Sequence, residues 1–327
     1  MNTNISTLAH GWLQVKVPLP FSLKWVNSYI IPEREGVTVI DPGLGTPEAK
    51  ELWTDVLAET GLDWGDIKRI MITHQHPDHY GLAGYMQERS GAPVCITERS
   101  HAYAMRLWGE GSGFPKALRE LYIHHGMPGE IMDRIERNLD GFIELVSPQP
   151  QVEYIAAGQR LVLGDWEWEL IDAPGHAYGA VCFYQPDIRW MVCGDQVLPH
   201  ITPNISVVPG EEKDPLEAFL GSLEQLKSYD VALALPGHRD PFTDFQGRID
   251  ELISHHVRRL DRMAELLKHE SCTAFALCET LFGVRLRDNP HNLRFAMSET
   301  LAHLYYLERE GRIRSREVGA ALVYETF

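Results

Sequence analysis

Short runs of β-branched, aromatic and other apolar residues recur along the first 245 residues and predict β-strands. Three of these runs open the protein, at residues 12–17, 27–31 and 36–40. The later runs lie at residues 68–72, 93–97, 152–155, 161–163, 166–171, 180–184, 189–193 and 231–235. The pattern therefore predicts two β-rich halves separated by a long gap.

Helices are predicted between the strands from end signals and from helical spacing. Thr46 as N-cap, Pro47 in the first turn and Gly61 as a stop delimit one helix. The segment Asp214-Pro215-Leu216-Glu217 is a capping box that begins another, running to about residue 228. A further helix is predicted over residues 80–89. Apolar residues also recur at helical spacing over residues 100–140, with a glycine-rich hinge at 109–113.

The last 82 residues have a different pattern. Amphipathic spacing predicts a long helix from residue 246 to about 269, and two more at 271–282 and 289–310. Gly311 ends the last helix, and residues 312–316 and 320–324 predict a small hairpin. We therefore predict two domains, at 1–245 and 246–327.

Composition places the chain among intracellular globular proteins. Of its 327 residues, 44% are hydrophobic, which is ample for a core, and no apolar run is long enough to span a membrane. The first residues lack the basic and apolar regions of a signal peptide. The five cysteines form no C-x-x-C pair, so we expect reduced core thiols. These features together favour a cytoplasmic enzyme.

The net charge of −16 argues against a general nucleic-acid-binding surface. Acidic and basic residues balance after residue 245, so the excess acidity lies in the first domain. The basic cluster of the second domain, Arg312, Arg314 and Arg316, is interspersed with glutamates. Nucleic-acid binding is therefore not expected on sequence grounds, and a small-molecule substrate is.

Three imidazoles and a carboxylate crowd into the segment Thr73-His74-Gln75-His76-Pro77-Asp78-His79. Residues two apart on an extended loop point the same way, so His74 and His76 can bind one cation. Asp78 and His79 then face a second position beside it. Because zinc accepts imidazole nitrogen and carboxylate oxygen, this segment predicts a metal site.

Three more residues of the same chemical types follow predicted strands. His176 lies in Asp172-Ala173-Pro174-Gly175-His176, Asp195 ends an apolar run at 190–194, and His238 closes Leu235-Pro236-Gly237-His238. Each lies on a glycine-containing turn, where side chains can converge on one edge of a sheet. An earlier segment of the same kind is Val39-Ile40-Asp41-Pro42-Gly43.

In this order, the five motifs resemble those of the metallo-β-lactamase superfamily of hydrolases. The resemblance implies an α/β fold, the four-layer αββα sandwich, whereas periodicity alone predicts only mixed α and β structure. It makes residues 100–140 an insertion at the mouth of the site, which we interpret as a cap over the substrate. Residues 246–327 resemble the small helical, winged-helix-like appendage of some relatives.

The same resemblance implies a ligand set for two metal ions. His74, His76 and His176 would hold the first ion, and Asp78, His79 and His238 the second. Asp195 would bridge both, and Asp41 would order the loop that carries the histidines. The expected cofactor is two Zn²⁺ ions, with iron or manganese as alternatives.

Two zinc ions that share a hydroxide lower its pKa and present it as a nucleophile. Asp78 and Asp195 are the expected catalytic residues, Asp78 by holding the hydroxide in line. A bridging aspartate is implied for thioesterase, lactonase and nuclease relatives and not for true β-lactamases. We therefore expect hydrolysis of an ester, thioester or lactone.

Substrate contacts are less specified by the sequence. Tyr80 and Tyr178 follow metal-ligand motifs, and either phenol could donate to an oxyanion or simply pack at the pocket rim. His200, and the pair His124 and His125 in the predicted cap, could also reach the site.

Two other functions remain open at this stage. A nuclease or phosphodiesterase could use the same metals, with the C-terminal domain as a nucleic-acid module. A persulfide-dioxygenase-like enzyme would bind a single iron instead. For the C-terminal domain we expect packing on the sandwich or on a second subunit of a homodimer. Its apolar contact positions would be Leu260, Leu266, Leu301, Leu304 and Leu307.

Overall fold

Two β-sheets face each other at the centre of the computed structural model, which describes residues 3–109 and 113–327. Within those residues the first sheet has seven strands, arranged side by side in chain order: β1 (Ile5–Thr7), β2 (Leu13–Pro18), β3 (Trp25–Glu33), β4 (Gly36–Ile40), β5 (Ile67–Met71), β6 (Val94–Thr97) and β7 (Val152–Ile155). The second described sheet has the spatial order β12-β11-β10-β9-β8. Its strands are β8 (Arg160–Leu163), β9 (Trp166–Asp172), β10 (Val181–Gln185), β11 (Trp190–Gly194) and β12 (Leu233–Pro236).

Parallel strand pairs place the chemically active loops at one edge. Strands β4, β5 and β6 pair in parallel, and their crossovers carry the helices α1 (Pro47–Thr60), α2 (Pro77–Tyr80) and α3 (Ala83–Ser90). Strand β12 pairs in parallel with β11 after the helix α7 (Pro215–Leu226). Because paired parallel strands run in the same direction, the carboxyl ends of each pair lie side by side. The loops that begin at Asp41 and Thr73 are therefore neighbours.

Alternating side chains along each strand divide the apolar residues into two layers of core. Tyr29, Ile31 and Met71 pack between the sheets against residues such as Trp168 and Phe183. Their chain neighbours, including Ile30 and Ile70, face the helices on the outside. This alternation of period 2 buries both faces of each sheet. The four-layer αββα sandwich predicted above is thereby confirmed.

The insertion at residues 100–140 is helical, as predicted, and consists of three helices. They are α4 (Glu98–Trp108), α5 (Phe114–His124) and α6 (Gly129–Ile143). Their buried positions include Tyr103, Leu118 and Ile135. Residues 110–112 of the predicted hinge lie outside the described residues.

The C-terminal segment forms a small, mainly helical unit. Its elements are α8 (Phe245–His269), β13 (Cys272–Thr273), α9 (Ala274–Phe282), α10 (Pro290–Arg309), β14 (Arg314–Val318) and β15 (Ala321–Glu325). The predicted hairpin is β14–β15, and the short strand β13 adds to it in the order β13-β15-β14. The predicted C-terminal helical unit is thereby confirmed, whereas its likeness to a winged helix stays a prediction.

Helix α10 packs on α6, α7 and α8 of the same chain. The expected burial of Leu260, Leu301, Leu304 and Leu307 is confirmed. Leu266 is only half-buried, because the inward face of α8 at this point is taken by Leu267. The division of the chain at residues 245 and 246 stays a prediction. None of the helices in the described part of the chain has both the length and the apolar character needed to cross a membrane.

Candidate metal centre

Seven side chains from four loops meet at the edge where the strands of both sheets end. His74, His76, Asp78 and His79 lie on the turn from β5 into α2 and in α2 itself. The others come from the second sheet: His176 follows β9, Asp195 follows β11 and His238 follows β12. The structure therefore brings together all seven residues that the sequence analysis proposed as ligands.

The first cluster is formed by His74, His76 and His176, whose nearest ring nitrogens all lie within 4.8 Å of one another. His74 Nε2 is 3.0 Å from His76 Nδ1. The His76 and His176 ring centres are 4.7 Å apart, with the rings nearly perpendicular. Three imidazole nitrogens converging in this way can bind one divalent cation.

The second cluster consists of Asp78, His79 and His238. His238 Nε2 lies 3.1 Å from Asp78 Oδ2, and His79 Nε2 lies 3.9 Å from the same oxygen. Asp195 stands between the clusters: its Oδ1 is 3.4 Å from His79 Nε2, and its Oδ2 is 3.3 Å from His238 Nε2 and 3.7 Å from His176 Nε2. Its carboxylate is the group placed to contact cations in both clusters.

Hydrogen bonds on the far side of three imidazoles fix which nitrogen faces the site. His176 Nδ1 donates to the Asn204 carbonyl and His238 Nδ1 to the Trp25 carbonyl, each at 2.9 Å. His79 Nδ1 donates to Asp41 Oδ2, also at 2.9 Å. Because these acceptors carry no proton, each Nδ1 is protonated, and each Nε2 is left as a lone-pair donor for a cation.

The buried atoms of the site fit two divalent cations. His79 Nε2, His176 Nε2, His238 Nε2 and Asp195 Oδ1 are buried and make no hydrogen bond in the described structure. Buried polar atoms without a partner are rare in folded proteins, so a group of four that face one another points to an ion. Nitrogen and carboxylate oxygen donors suit zinc, and also manganese or iron.

Electrostatics differ between the two clusters. Burial and neighbouring imidazoles lower the pKa of His74, and they lower that of His76 to about 3. Burial would also lower the pKa of His238, but Asp195 and Asp78 outweigh it and raise that pKa to about 10. The carboxylates of Asp78 and Asp195 thus favour a positive charge in the second cluster. Bound cations would supply this charge in place of protons.

Two glycines allow this close approach. A Cβ atom on Gly237 would lie under 3.0 Å from both Asp195 and His79. Gly194 has a φ of 49°, and its Cβ would lie 2.8 Å from Thr73 Oγ1. A larger residue at either position would push apart the loops that carry the ligands.

A cavity of about 290 Å³ opens above the metal centre. Metal-ligand candidates form part of its lining, and the cap supplies Tyr103, Leu107, Trp108, Leu139 and Phe142. The insertion therefore lies at the site as expected, whereas its control of substrate choice stays a prediction. Helix α10 also contributes to the wall, with His291, Arg294 and Phe295. The sequence analysis missed this contribution, although the spacing of His291 and Arg294 does place them on one helix face.

Of the residues proposed for substrate contact, only Tyr178 lines the cavity; Arg99 lies 4.8 Å over its ring. The prediction for Tyr80 is wrong, because Tyr80 is fully buried and its hydroxyl donates to Gln149 Oε1 at 2.8 Å. The prediction for His200 is also wrong, because this residue is exposed and lies outside the cavity lining.

The two cap histidines do not reach the metal centre either. His124 pairs with Glu317 at 3.0 Å. His125 is buried, with its ring nitrogens 3.1 Å from the Tyr305 hydroxyl and 3.2 Å from the Tyr324 hydroxyl. Both histidines therefore join the insertion to the C-terminal unit.

A second connection from the C-terminal unit supports a metal-ligand candidate. Glu299 of α10 accepts a hydrogen bond from Asn204 Nδ2 at 2.8 Å and also pairs with Arg259. The carbonyl of Asn204 is the acceptor that orients His176. Helix α10 thus helps to hold the loop on which the first cluster depends.

Comparison with known proteins identifies the family. Residues 26–238 match the profile of the metallo-beta-lactamase superfamily. The chain belongs to this superfamily. Residues 260–325 match the C-terminal domain described as metallo-beta-lactamase-like.

Relatives of similar length share the whole arrangement. A solved structure of a metallo-beta-lactamase family protein from Thermus thermophilus is 33% identical with a TM-score of 0.87, over 97% of this chain and 99% of that one. The "probable metallo-hydrolase YqjP" of Bacillus subtilis is 26% identical over 96% of this chain and 97% of its own length. The chain is therefore similar to both over nearly its whole length.

A third relative carries a more specific name. The atrochrysone carboxyl ACP thioesterase dmxR1 of a Cryptosporiopsis species is 27% identical over 77% of this chain. The match spans 60% of that longer fungal protein.

Proposed function

We propose that the protein is a hydrolase with two metal ions, zinc being the best fit, that cleaves a thioester or a related ester or lactone of a small molecule. The observation that carries this proposal is the position of Asp195 between the two histidine clusters. A carboxylate there can contact both cations and keep them close. The thioesterase name of one fungal relative supports the choice of a thioester among these bonds.

Bound metal ions would supply an activated water and polarise the carbonyl of the substrate. The protein groups around them have distinct tasks. Asp78 faces the cavity and is partly exposed, so it can accept a hydrogen bond from the attacking water. The Tyr178 phenol at the rim can donate to the oxygen on which negative charge develops. With substrate bound, the aromatic walls would limit contact with bulk water, which would strengthen these interactions.

Charge pairing in the C-terminal unit supports a small substrate over a nucleic acid. Arg312 donates to Asp261 at 2.7 Å. Arg314 and Arg316 both pair with Glu325, at 2.9 and 3.0 Å. This cluster is therefore largely neutralised by acidic neighbours, and phosphate binding would have to break those pairs.

The proposal is tested by metal analysis and a substrate panel. Protein purified without added metal should contain more than one equivalent of divalent metal, and chelation should abolish activity that zinc restores. The panel includes thioesters, lactones, simple esters and a bis-phosphodiester. Activity only on the phosphodiester would favour the nuclease alternative, and a single iron with oxygen-dependent activity would favour the dioxygenase one.

The variant Asp195→Ala removes the carboxylate between the clusters. We expect it to lose nearly all activity while it retains the wild-type circular dichroism spectrum. Asp230→Ala is the matched control, because Asp230 is an exposed aspartate paired with Arg189 far from the loops of the site. Equal turnover by the wild type and Asp195→Ala would rule out the bridging role.

A further inference from the structure

Arg294 is the single lysine or arginine side chain among the described residues that line the cavity. It lies in the second turn of α10, which begins at Pro290. The other charged groups in the lining are acidic side chains and histidines. This basic side chain therefore belongs to the C-terminal unit and not to the sandwich.

The surroundings of Arg294 contain no carboxylate partner. Within the described residues, no acidic oxygen lies within ion-pair distance of its guanidinium, and its Nε is buried without a hydrogen bond. Its guanidinium stacks 4.1 Å over the Phe295 ring. Arg106, in the cap, differs: it donates to Glu211 Oε1 at 2.8 Å, so that acidic group at the cavity is already paired.

A guanidinium in this position remains charged. Burial lowers the pKa of Arg294, but arginine does not lose its proton in proteins. Burying a charged group without a counter-charge is unfavourable, so such groups are normally paired. The fork of guanidinium donors matches a carboxylate or phosphate, which can accept two parallel hydrogen bonds.

Two further observations orient a ligand in the cavity. His291, three residues before Arg294 on the same helix, lines the same cavity as Asp78. Bound cations would offset the charges of Asp78 and Asp195 at the metal centre, whereas no acidic side chain among the described residues pairs with Arg294. A substrate that carries an anionic group would therefore enter with this group at Arg294 and with its scissile carbonyl at the metal ligands. Leu139, Phe142 and Phe295 would contact an apolar segment between them.

We propose that Arg294 binds a compact oxyanion, a carboxylate or a phosphate, carried by the substrate. This inference rests on the proposed hydrolase function and names its substrate class: an ester or thioester with an apolar segment and an anionic end. Arg294 would then be a specificity-determining residue supplied by the C-terminal unit.

Hydrolysis of matched substrates tests the inference. We would compare 4-nitrophenyl hydrogen adipate with 4-nitrophenyl hexanoate, which has a methyl group in place of the carboxylate, and include the corresponding 6-phosphonooxyhexanoate. The wild type should prefer the anionic esters. Arg294→Met should lower kcat/KM for them about 10- to 100-fold, as loss of a charge-assisted pair does, and change the hexanoate by less than about threefold. Arg294→Lys should recover part of the loss.

Arg189→Met, which breaks an exposed pair with Asp230, is the control for a general loss of positive charge. It should leave all three rates unchanged. An equal fall for charged and neutral esters in Arg294→Met would overturn the inference while leaving the hydrolase function intact, and so would a wild type without preference for the anionic esters.

A binding measurement keeps the test independent of turnover. Calorimetry on metal-loaded protein would compare 4-phenylbutanoate, 3-phenylpropyl phosphate and the neutral 4-phenylbutanamide. We expect the two anions to bind more tightly than the amide and to lose that advantage in Arg294→Met. Whichever anion binds more tightly identifies the source of the oxyanion. Anion binding that survives in Arg294→Met would assign it to the metal centre and overturn the inference, even if no ester in the panel is hydrolysed.

Discussion

Asp41 connects the metal-binding loop to the first sheet, and its substitution gives a sharp test of how the site is held. The carboxylate is buried and accepts three hydrogen bonds. Thr73 N donates to Oδ1 at 2.8 Å, whereas Thr73 Oγ1 and His79 Nδ1 donate to Oδ2 at 2.6 and 2.9 Å. The segment that begins at Thr73 carries four of the seven proposed ligands.

The variant Asp41→Asn keeps the shape and removes one acceptor oxygen and the charge. If the amide oxygen faces Thr73 Oγ1 and His79, its NH₂ group opposes the Thr73 N–H. That buried donor then has no partner, which costs about 1–3 kcal/mol of unfolding free energy. The reverse orientation leaves two donors unpaired and costs more.

Loss of the charge also weakens His79 as a ligand. A neutral oxygen attracts the His79 Nδ1 proton less strongly than a carboxylate does, so Nε2 becomes a poorer donor. Substitution of such supporting groups typically lowers metal affinity or activity about 10- to 100-fold. In the described structure Asp41 reaches the first cluster only through Thr73 Oγ1, which lies 3.0 Å from His74 Nδ1, so we expect the larger weakening at the second ion.

Denaturant unfolding of the metal-free protein would measure the stability change, and titration against a competing chelator would give the two metal affinities. Asp230→Asn is the control, because that aspartate is exposed and lies away from the site. If Asp41→Asn binds both ions with wild-type affinity and unfolds within about 0.5 kcal/mol of the wild type, the proposed support by Asp41 is refuted. Equal weakening of both ions would indicate general loosening of the loop.

Two other outcomes are expected. Burial lowers the pKa of His125 to about 4, so the unfolded chain binds more protons than the folded one between pH 6.5 and 4. Stability is therefore lost as the pH falls through this window, by up to about 3 kcal/mol, and His125→Gln should flatten the dependence in thermal unfolding at each pH. In the cap, Leu107→Ala should lower kcat/KM about tenfold for a hexanoyl ester and less for an acetyl ester, with unchanged metal content by elemental analysis. A uniform fall for both esters would contradict a substrate-shaping role for the cap.

Much of the site was predictable because each ligand candidate is encoded locally. His74 and His76 are two residues apart on one loop, and His176 and His238 each follow a strand and a glycine. The ends of parallel strands meet at one edge in any such sheet, so the pattern of strands predicted where these residues would converge. The helices of the insertion and of the C-terminal unit were predictable for a similar reason, since helical spacing and capping residues act within a few turns.

The walls of the cavity were decided by tertiary packing. Tyr80 follows the metal loop, yet it turns into the core and bonds to Gln149, 69 residues later. The ring nitrogens of His125 lie within hydrogen-bond distance of the Tyr305 and Tyr324 hydroxyls in the C-terminal unit. Arg294 reaches the cavity because α10 packs on the cap and the sandwich. No local sequence pattern predicts that contact. The sequence by itself determined which residues can bind metal, because strand ends and turns are set by near neighbours. Only the tertiary structure decided what surrounds the substrate, because those contacts join segments that lie far apart in the chain.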